Sequence, residues 1–471
     1  MELSKEFLHE SNEYEKSLTS DYKKQNGIYY TNIDLVRNIY RLLNLQITDD
    51  LRIIDPTCGT GSFLSIAAEL GFKNIYGTDI DKGAIKIAKK MVPIAKVKVL
   101  DSISNPYSKI LHSFNIKEKY HVVIGNPPYA PLNVTNSIDT FDYLFARTVK
   151  NNGDNLFIAA LLRAKEMVSD GGLISFIIPK NFLHINSYSL LRRELLRDYT
   201  IESIVDIGVY FKNVRGEQIV LTVKKVKPSN NQIKFYVHDN NEFMYLTSID
   251  QDFYKDTIIL FQNNLDHNIY MKFNNSYTTL NDYVSGYVGR GKSKIEESIS
   301  GKDIRKFGFK NNRSLTQGNK IFIQNIYSKE SGIIACFGGE LEASETITVF
   351  TDGDATMCRY VLGILHSRLI NYFLHRYCFN RSQLTMHVDA KYLRKIPFIV
   401  SEVLFDVVLE YVDLLEQTDY MSEKWFFYYE QLNDLVYRIY DIDLVEKEYI
   451  ERTVKEEQSG KWVIDHGKKS K

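Results

Sequence analysis

Apolar positions along the chain follow two regimes. Up to residue 226, short apolar runs alternate with stretches of helical spacing. Leu35, Ile39, Leu42 and Leu43 recur on one side of a helix predicted over 29–45. Strands are predicted over 52–55, 74–78, 97–100, 121–125, 173–178, 201–206 and 218–226, with helices over 62–71, 82–91, 156–168 and 186–197. This alternation predicts an α/β domain whose sheet is mostly parallel and covered on both faces. The last two strands have no long helix between them, which predicts an antiparallel hairpin closing one edge. The pattern breaks at the turn-rich Lys227-Pro228-Ser229-Asn230-Asn231. Beyond it, strand-like pieces (232–237, 320–324, 332–336, 347–350) mix with glycine-rich loops, and helices resume over 357–377 and 401–440. A first domain over 1–227 and a mixed α+β domain over 228–471 are expected.

Net charge is zero, from 59 Lys and Arg against 59 Asp and Glu, so the total gives no sign of a polyanionic partner. The distribution is more telling. Residues 286–320 carry nine Lys/Arg against three acids, and 359–395 carry seven against one. Residues 401–446 reverse the balance, with twelve acids against Lys424 and Arg438. Such segregation suits a chain with one face on phosphate, although solvated helix faces without a ligand would look the same. No apolar run reaches the roughly 18 residues of a membrane span. The polar, acidic start at Met1-Glu2-Leu3-Ser4-Lys5-Glu6 is unlike a secretory leader. Cys58, Cys336, Cys358 and Cys378 have no CxxC or Cys/His spacing, so a reduced cytoplasmic protein without a metal is expected.

Candidate chemistry gathers at the predicted strand ends. Asp55-Pro56-Thr57-Cys58-Gly59-Thr60-Gly61-Ser62 follows a strand and opens a helix. Its glycines allow close backbone approach, and the helix start offers unpaired N–H groups to a ligand. Tight strand-to-helix turns need glycine too, so the loop alone is a weak signal. Asp79 and Asp81, with Ile80 between them, end the next strand; an acid about 20 residues after the glycine loop is the usual holder of ribose hydroxyls. Asp101 ends the third strand, where an adenine ring could be read. Ligands bind beyond the carboxyl ends of such strands, so the three elements converge. Asp55 before the glycines would repel a pyrophosphate and suits an ammonium better.

The fourth predicted strand runs directly into Asn126-Pro127-Pro128-Tyr129. Two prolines after a strand stop it and stiffen the loop, but that does not explain the flanking Asn and Tyr. Two acceptors, the Asn126 side-chain oxygen and the Pro127 carbonyl, match the two hydrogens of a planar exocyclic amine. They would localise its lone pair and stabilise the charge that grows as a methyl group arrives. Tyr129 offers a ring face on which a base can stack. No general base is required before attack.

In this order the motifs resemble the gamma-type DNA adenine-N6 methyltransferases of bacterial restriction–modification systems. The family's opening segment is matched by Gly27-Ile28-Tyr29-Tyr30-Thr31, its glycine loop by Asp55 to Gly61, its acids by Asp79 and Asp101, and its catalytic element by Asn126 to Tyr129. The resemblance covers residues 27–226. It implies a Rossmann-like sheet for S-adenosyl-L-methionine, held by Thr31, Asp55, Thr57, Gly59, Gly61, Asp79, Ile80 and Asp101. It also implies catalysis by Asn126, Pro127 and Tyr129, with the flipped adenine between Tyr129 and Phe211 and beside Pro128. The second half matches the family's target-recognition domains more loosely, through Tyr360 to Phe373, Ile396-Pro397, and Leu432 to Tyr440. Its basic, aromatic-mixed loops supply candidates for phosphate and base contacts: Tyr287, Arg290, Lys292, Lys294, Arg313, Arg376, Arg381, Lys391 and Arg394. Double-stranded DNA is the implied partner, and a separate cognate restriction endonuclease is compatible with it.

Three alternatives stay open on sequence. The same tetrapeptide serves methyltransferases acting on a protein glutamine amide or on RNA, though those carry their extra domain before the cofactor half. A modification subunit needing a specificity partner usually has a large helical region ahead of the glycine loop. A binding module with a degenerate site would not be expected to keep Asn126 and Tyr129. A nuclease in the same polypeptide is not expected, because the segment before Asp55 is too short for one.

Overall fold

The computed structural model describes residues 2–19, 31–131, 148–211, 216–276, 278–283, 286, 288–292, 298–311 and 317–458. Gly27 to Tyr30, Tyr287, Lys294 and Arg313 lie outside the described residues. The chain divides into two compact units, Met1–Ile258 and Ile259–Lys471.

The first unit is built on nine strands: β1 (Arg52–Asp55), β2 (Asn74–Asp79), β3 (Lys96–Val99), β4 (Tyr120–Gly125), β5 (Val168–Pro179), β6 (Thr200–Gly208), β7 (Gln218–Lys224), β8 (Gln232–Asp239) and β9 (Glu242–Asp250). They lie in the order β3-β2-β1-β4-β5-β7-β6-β8-β9, and β1 to β5 are mutually parallel. Alternate residues of β4 and β5 (Val122, Ile124 and Ile177 on one side, Val123, Phe176 and Ile178 on the other) are at most 1% exposed. Both faces are therefore covered, as the predicted α/β alternation requires. Helices Ile33–Leu43, Ser62–Glu69 and Lys82–Met91 share one core cluster with Val122, Ile124 and Ile177. Parallel strands with helical crossovers put the carboxyl ends of β1 to β4 on one edge of the sheet, where the candidate residues lie.

Two expectations about this unit change. β6 and β7 do pair antiparallel, but β7 inserts between β5 and β6 instead of closing an edge. Its run Ile219 to Val223 is at most 2% exposed on both faces, which only an interior position provides. The unit also continues past 227. Lys227 to Asn231 merely connects β7 to β8; β8 then pairs with β6, and β9 with β8. Ile233, Phe235 and Val237 bury one face of β8, so the apolar surface of the sheet is completed only by residues beyond the expected boundary.

The second unit holds a four-stranded antiparallel sheet in the order Val288–Arg290, Ile347–Thr351, Lys320–Gln324, Ala335–Gly339. The helix predicted over 357–377 is divided. Ala355–Leu365 ends at His366, and the Ser367 hydroxyl caps Arg368–Phe373 by accepting from Ile370 N at 3.2 Å. A π turn, Leu374–Cys378, follows. The stretch 401–440 is likewise two helices, Phe405–Gln417 and Glu423–Ile439, the second capped by Ser422. A further helix, Leu444–Gln458, extends past the residues read as helical.

Much of the predicted charge segregation is consumed inside this unit. Arg359 lies 3.5 Å from Glu416, Arg368 pairs with Glu430 and Glu451, and Arg376 meets Asp266 at 3.1 Å with both side chains 1% exposed. The acidic helices are thus counter-ions for the 359–376 arginines. Among the described residues, no helix is long and apolar enough to cross a membrane.

Candidate active site

Each wall of the site begins at a strand end. Asp55, the last residue of β1, is 1% exposed, and its Oδ1 accepts from Thr57 N at 3.0 Å. Gly61 follows at φ 97°, a left-handed conformation that a side chain would strain, and starts the helix Ser62–Glu69. At the end of β4, Gly125 passes so close to Asp55 that a Cβ there would lie 2.6 Å from the Asp55 carboxylate. A glycine is therefore needed immediately before Asn126, and β4 can deliver Asn126 beside the β1 loop.

Asp79 at the end of β2 braces that loop from the other side. Its Oδ2 accepts from Gly59 N at 2.8 Å and its Oδ1 from Asp81 N at 2.9 Å. Asp81 is occupied in local structure. It caps Lys82–Met91 by accepting from Gly83 N at 2.8 Å, and it takes the Tyr14 hydroxyl at 2.7 Å. Asp101 closes a tight turn by accepting from Ile103 N at 3.0 Å and Ser104 N at 2.9 Å.

Thr31, Asp55, Thr57, Gly59, Asp79, Ile80, Asp101, Asn126 and Pro128 all line one cleft of about 940 Å³, part of it open to solvent. Gly61 lies beneath it as the helix start. Sequence reasoning missed the apolar wall, Phe63, Ile103 and Leu156. Leu156 begins the helix Leu156–Met167, far along the chain from the glycine loop, so no local signal marked it.

The tetrapeptide is held by its own hydrogen bonds. Asn126 Nδ2 donates to Thr31 Oγ1 at 3.2 Å, which leaves Oδ1 turned toward Tyr129, whose hydroxyl lies 2.6 Å away. The same hydroxyl is 2.9 Å from the Ile177 carbonyl of β5. Thr31 thus touches both the cleft and the catalytic candidate, a link that spacing does not reveal. Phe211 takes a different place from the expected base-stacking one. It is 7% exposed, belongs to the apolar core and meets Tyr210 edge-on at 5.3 Å. An aromatic ring with a core beside it gains more from burial than from an open rim.

In the second unit, Arg290 and Lys292 are exposed at and just after the edge strand Val288–Arg290, available to a polyanion. Arg381 is not. It is 2% exposed at φ 57°, and Arg376 is buried against Asp266, so neither presents a guanidinium to solvent. A guanidinium buried in this way serves packing and hydrogen bonding within the unit.

Three carboxyl groups, those of Asp55, Asp79 and Asp101, line this one cleft. Burial pushes Asp55 well above the usual carboxylate range, and Asp79 nearby adds to the rise. Asp79 is raised as well, again mainly by burial and against the pull of the Asp81 and Gly59 N–H groups. Thr57 Oγ1 is buried with no hydrogen-bond partner among the described residues, although it lines the cleft. An unpaired hydroxyl beside three acids fits a ligand that brings both a cation and polar groups.

The raised values carry a pH signature. Between the unfolded and the raised folded values, the folded chain holds protons on Asp55 and Asp79 that the unfolded chain has released. Their contribution to stability is full below the unfolded value of about 3.9 and is lost as pH rises through the folded values. Asp55→Asn is expected to remove a slope of up to about 1.4 kcal/mol per pH unit from the unfolding free energy over that window. Thermal unfolding of ligand-free protein against pH measures it, and superimposable curves would refute the raised Asp55.

Residues 73–211 match the family described as Eco57I restriction-modification methylase, and residues 275–398 match the TaqI-like C-terminal specificity domain. The chain is similar to the type II methyltransferase M.VspI of Vibrio sp. (strain 343), 28% identical over 232 residues, covering 49% of this chain and 55% of that protein. It is also similar to the modification methylase CviBIII of Paramecium bursaria Chlorella virus NC1A, 23% identical over 189 residues, covering 39% and 46%. The chain therefore spans about half the length of these relatives. Among solved structures, the type IIL restriction-modification enzyme MmeI in complex with DNA shares the fold, with a TM-score of 0.61 at 11% identity over 96% of this chain and 81% of that one. The resemblance to restriction–modification methyltransferases extends to both units.

Proposed function

We propose that this chain is a site-specific DNA methyltransferase that moves a methyl group from S-adenosyl-L-methionine to the exocyclic N6 of an adenine flipped out of duplex DNA. The observation that carries the reading is Asn126-Pro127-Pro128-Tyr129 at the end of β4, with Asn126 forming part of the wall of the acid-lined cleft. When bound, S-adenosyl-L-methionine supplies an electrophilic methyl group on a positively charged sulfur. An ionised Asp55 would balance the positive methionine end, Asp79 would accept from the ribose hydroxyls, the Asp101 turn would border the adenine, and Thr57 would gain the partner it lacks. Asn126 Oδ1 and the Pro127 carbonyl accept the two amine hydrogens of the target base. Both dipoles then face the positive charge that grows on the nitrogen. After transfer that nitrogen gives up one proton, and no base need act earlier.

Tyr129 separates two effects. Tyr129→Phe keeps the ring and removes the hydroxyl that bridges Asn126 and Ile177, so a loss of roughly 3- to 10-fold in transfer is expected, in line with about 1 kcal/mol for a neutral hydrogen bond. Tyr129→Ala also removes the stacking face, for a further loss of about 10- to 100-fold. Equal activity of the two variants would deny the ring any part in holding the base.

Arg290 and Lys292, exposed in the unit that matches a specificity domain, are the leading phosphate contacts, and double-stranded DNA is the partner proposed for it. The decisive experiment supplies protein with methyl-labelled cofactor and mixed-sequence duplex DNA, RNA or ribosomal extract. Label recovered as N6-methyladenine in DNA is expected. Label found only in RNA or protein would overturn the reading and favour an RNA or glutamine-amide methyltransferase.

A further inference from the structure

Beside the catalytic tetrapeptide lies a buried charge cluster to which the reaction assigns no role. Lys180 follows β5 directly, opening the short turn Lys180–Leu183. Its Nζ donates to Asp206 Oδ2 at 2.7 Å and lies 3.5 Å from Glu217 Oε1. The side chains are 3%, 1% and 4% exposed. Asp206 sits near the end of β6, and Glu217 immediately precedes β7. The Lys180 N–H also donates to the Glu217 carbonyl at 2.8 Å. One ammonium group therefore joins the ends of three neighbouring strands at the edge of the sheet where β4 delivers Asn126.

A buried ion cluster is a poor means of gaining stability. Desolvating three charges consumes most of what their attraction returns, and apolar residues of the same volume usually hold as well or better. Such a cluster does impose direction, because its partners tolerate only one arrangement. Here the direction matters to the site. Three residues before Lys180, the Ile177 carbonyl lies 2.9 Å from the Tyr129 hydroxyl, whose one proton it shares with Asn126 Oδ1 at 2.6 Å. Lateral movement at the end of β5 would carry the Ile177 carbonyl with it and turn the Asn126 acceptor.

We infer that Lys180 is a positioning residue for methyl transfer: by tying Asp206 and Glu217 to the end of β5, it holds the Ile177 carbonyl, and through Tyr129 the Asn126 oxygen, in reacting geometry. Lys180 is not among the residues that line the cleft, so its role is one of positioning, through Ile177 and Tyr129. The inference rests on the function proposed above.

The test compares full-length wild type with K180M/D206N/E217Q, which removes all three charges together and leaves none unpaired. Asp206→Asn keeps the oxygen that accepts from Gly208 N at 3.0 Å. Expected are unchanged cofactor affinity, unchanged KM for duplex DNA and a kcat about 10- to 100-fold lower, the scale on which small misplacements act. K180R, which keeps a buried cation, is expected to retain most of the rate. Wild-type kcat in the folded triple variant would overturn the inference. Should that variant not fold, D206N alone decides: a lowered kcat at unchanged KM supports the tie, and a wild-type kcat overturns it. Wild type that fails to methylate DNA would instead bring down the underlying reading, so the two failures are distinguishable.

Discussion

Replacing Asn126 by Ala is expected to lower single-turnover methyl transfer by about 10²- to 10³-fold, equivalent to roughly 3–4 kcal/mol of transition-state stabilisation. The side chain makes two contributions that alanine cannot. Its oxygen is an acceptor turned toward the Tyr129 hydroxyl at 2.6 Å, and its NH2 is anchored to Thr31 at 3.2 Å, which prevents the amide from turning over. An adenine amine is a weak nucleophile in the ground state, so the acceptor matters chiefly as charge develops, and the loss should fall on kcat. Cofactor affinity should change little, because Asn126 forms only one part of the cleft wall. Asn126→Asp keeps an acceptor and loses the N–H for Thr31, so its rate should fall between the two. Rapid-quench assays with labelled cofactor give the rate and calorimetry the affinity. A rate within about ten-fold of wild type in the alanine variant would exclude Asn126 from the reaction.

The second large effect is expected at Asp79. Asp79→Ala should weaken S-adenosyl-L-methionine binding by about 100-fold or more, since each hydrogen bond to a charged group is worth roughly 1.5–3 kcal/mol. Two contributions combine. One is the proposed pair of ribose contacts; the other is the brace to Gly59 N at 2.8 Å, without which the glycine loop loses a fixed point. Asp79→Asn separates them: its single oxygen can still meet Gly59, while the negative charge is gone. An intermediate affinity is expected for Asn, and equal losses in Asn and Ala would assign the whole effect to charge. Because the carboxyl is held above its ordinary value, wild-type affinity should also fall on acidification through that raised value, whereas the Asn variant should show no such fall. Unchanged affinity in Asp79→Ala would mean that the ribose is held elsewhere.

The acid-lined cleft was readable because its walls are local. Asp55, Gly59, Asp79 and Asp101 each stand at the end of an apolar run, and a parallel sheet sends all such ends to one edge. The tetrapeptide was readable for the same reason, being the end of β4 itself. The residues that were misjudged depend on packing. Phe211 has the position of a base-stacking aromatic, yet its ring enters the core. Arg381 lies in a basic stretch, yet it is 2% exposed. The charge of residues 359–376 pointed outward to phosphate on paper and is met by Glu416, Glu430, Glu451 and Asp266 in the folded unit.

From its sequence alone, the chain determines the alternation of strands and helices, the glycine loop with its following acids, and the chemistry that Asn126 to Tyr129 can perform. These follow from periodicity and from short-range backbone geometry, which neighbouring residues dictate. The tertiary structure decided where β7 lies in the sheet, how far the first unit runs, that Thr31 and Ile177 hold Asn126 and Tyr129, and that Lys180 joins three strand ends. Those contacts link residues tens of positions apart, and their partners are selected by burial and charge neutralisation, which no local pattern records.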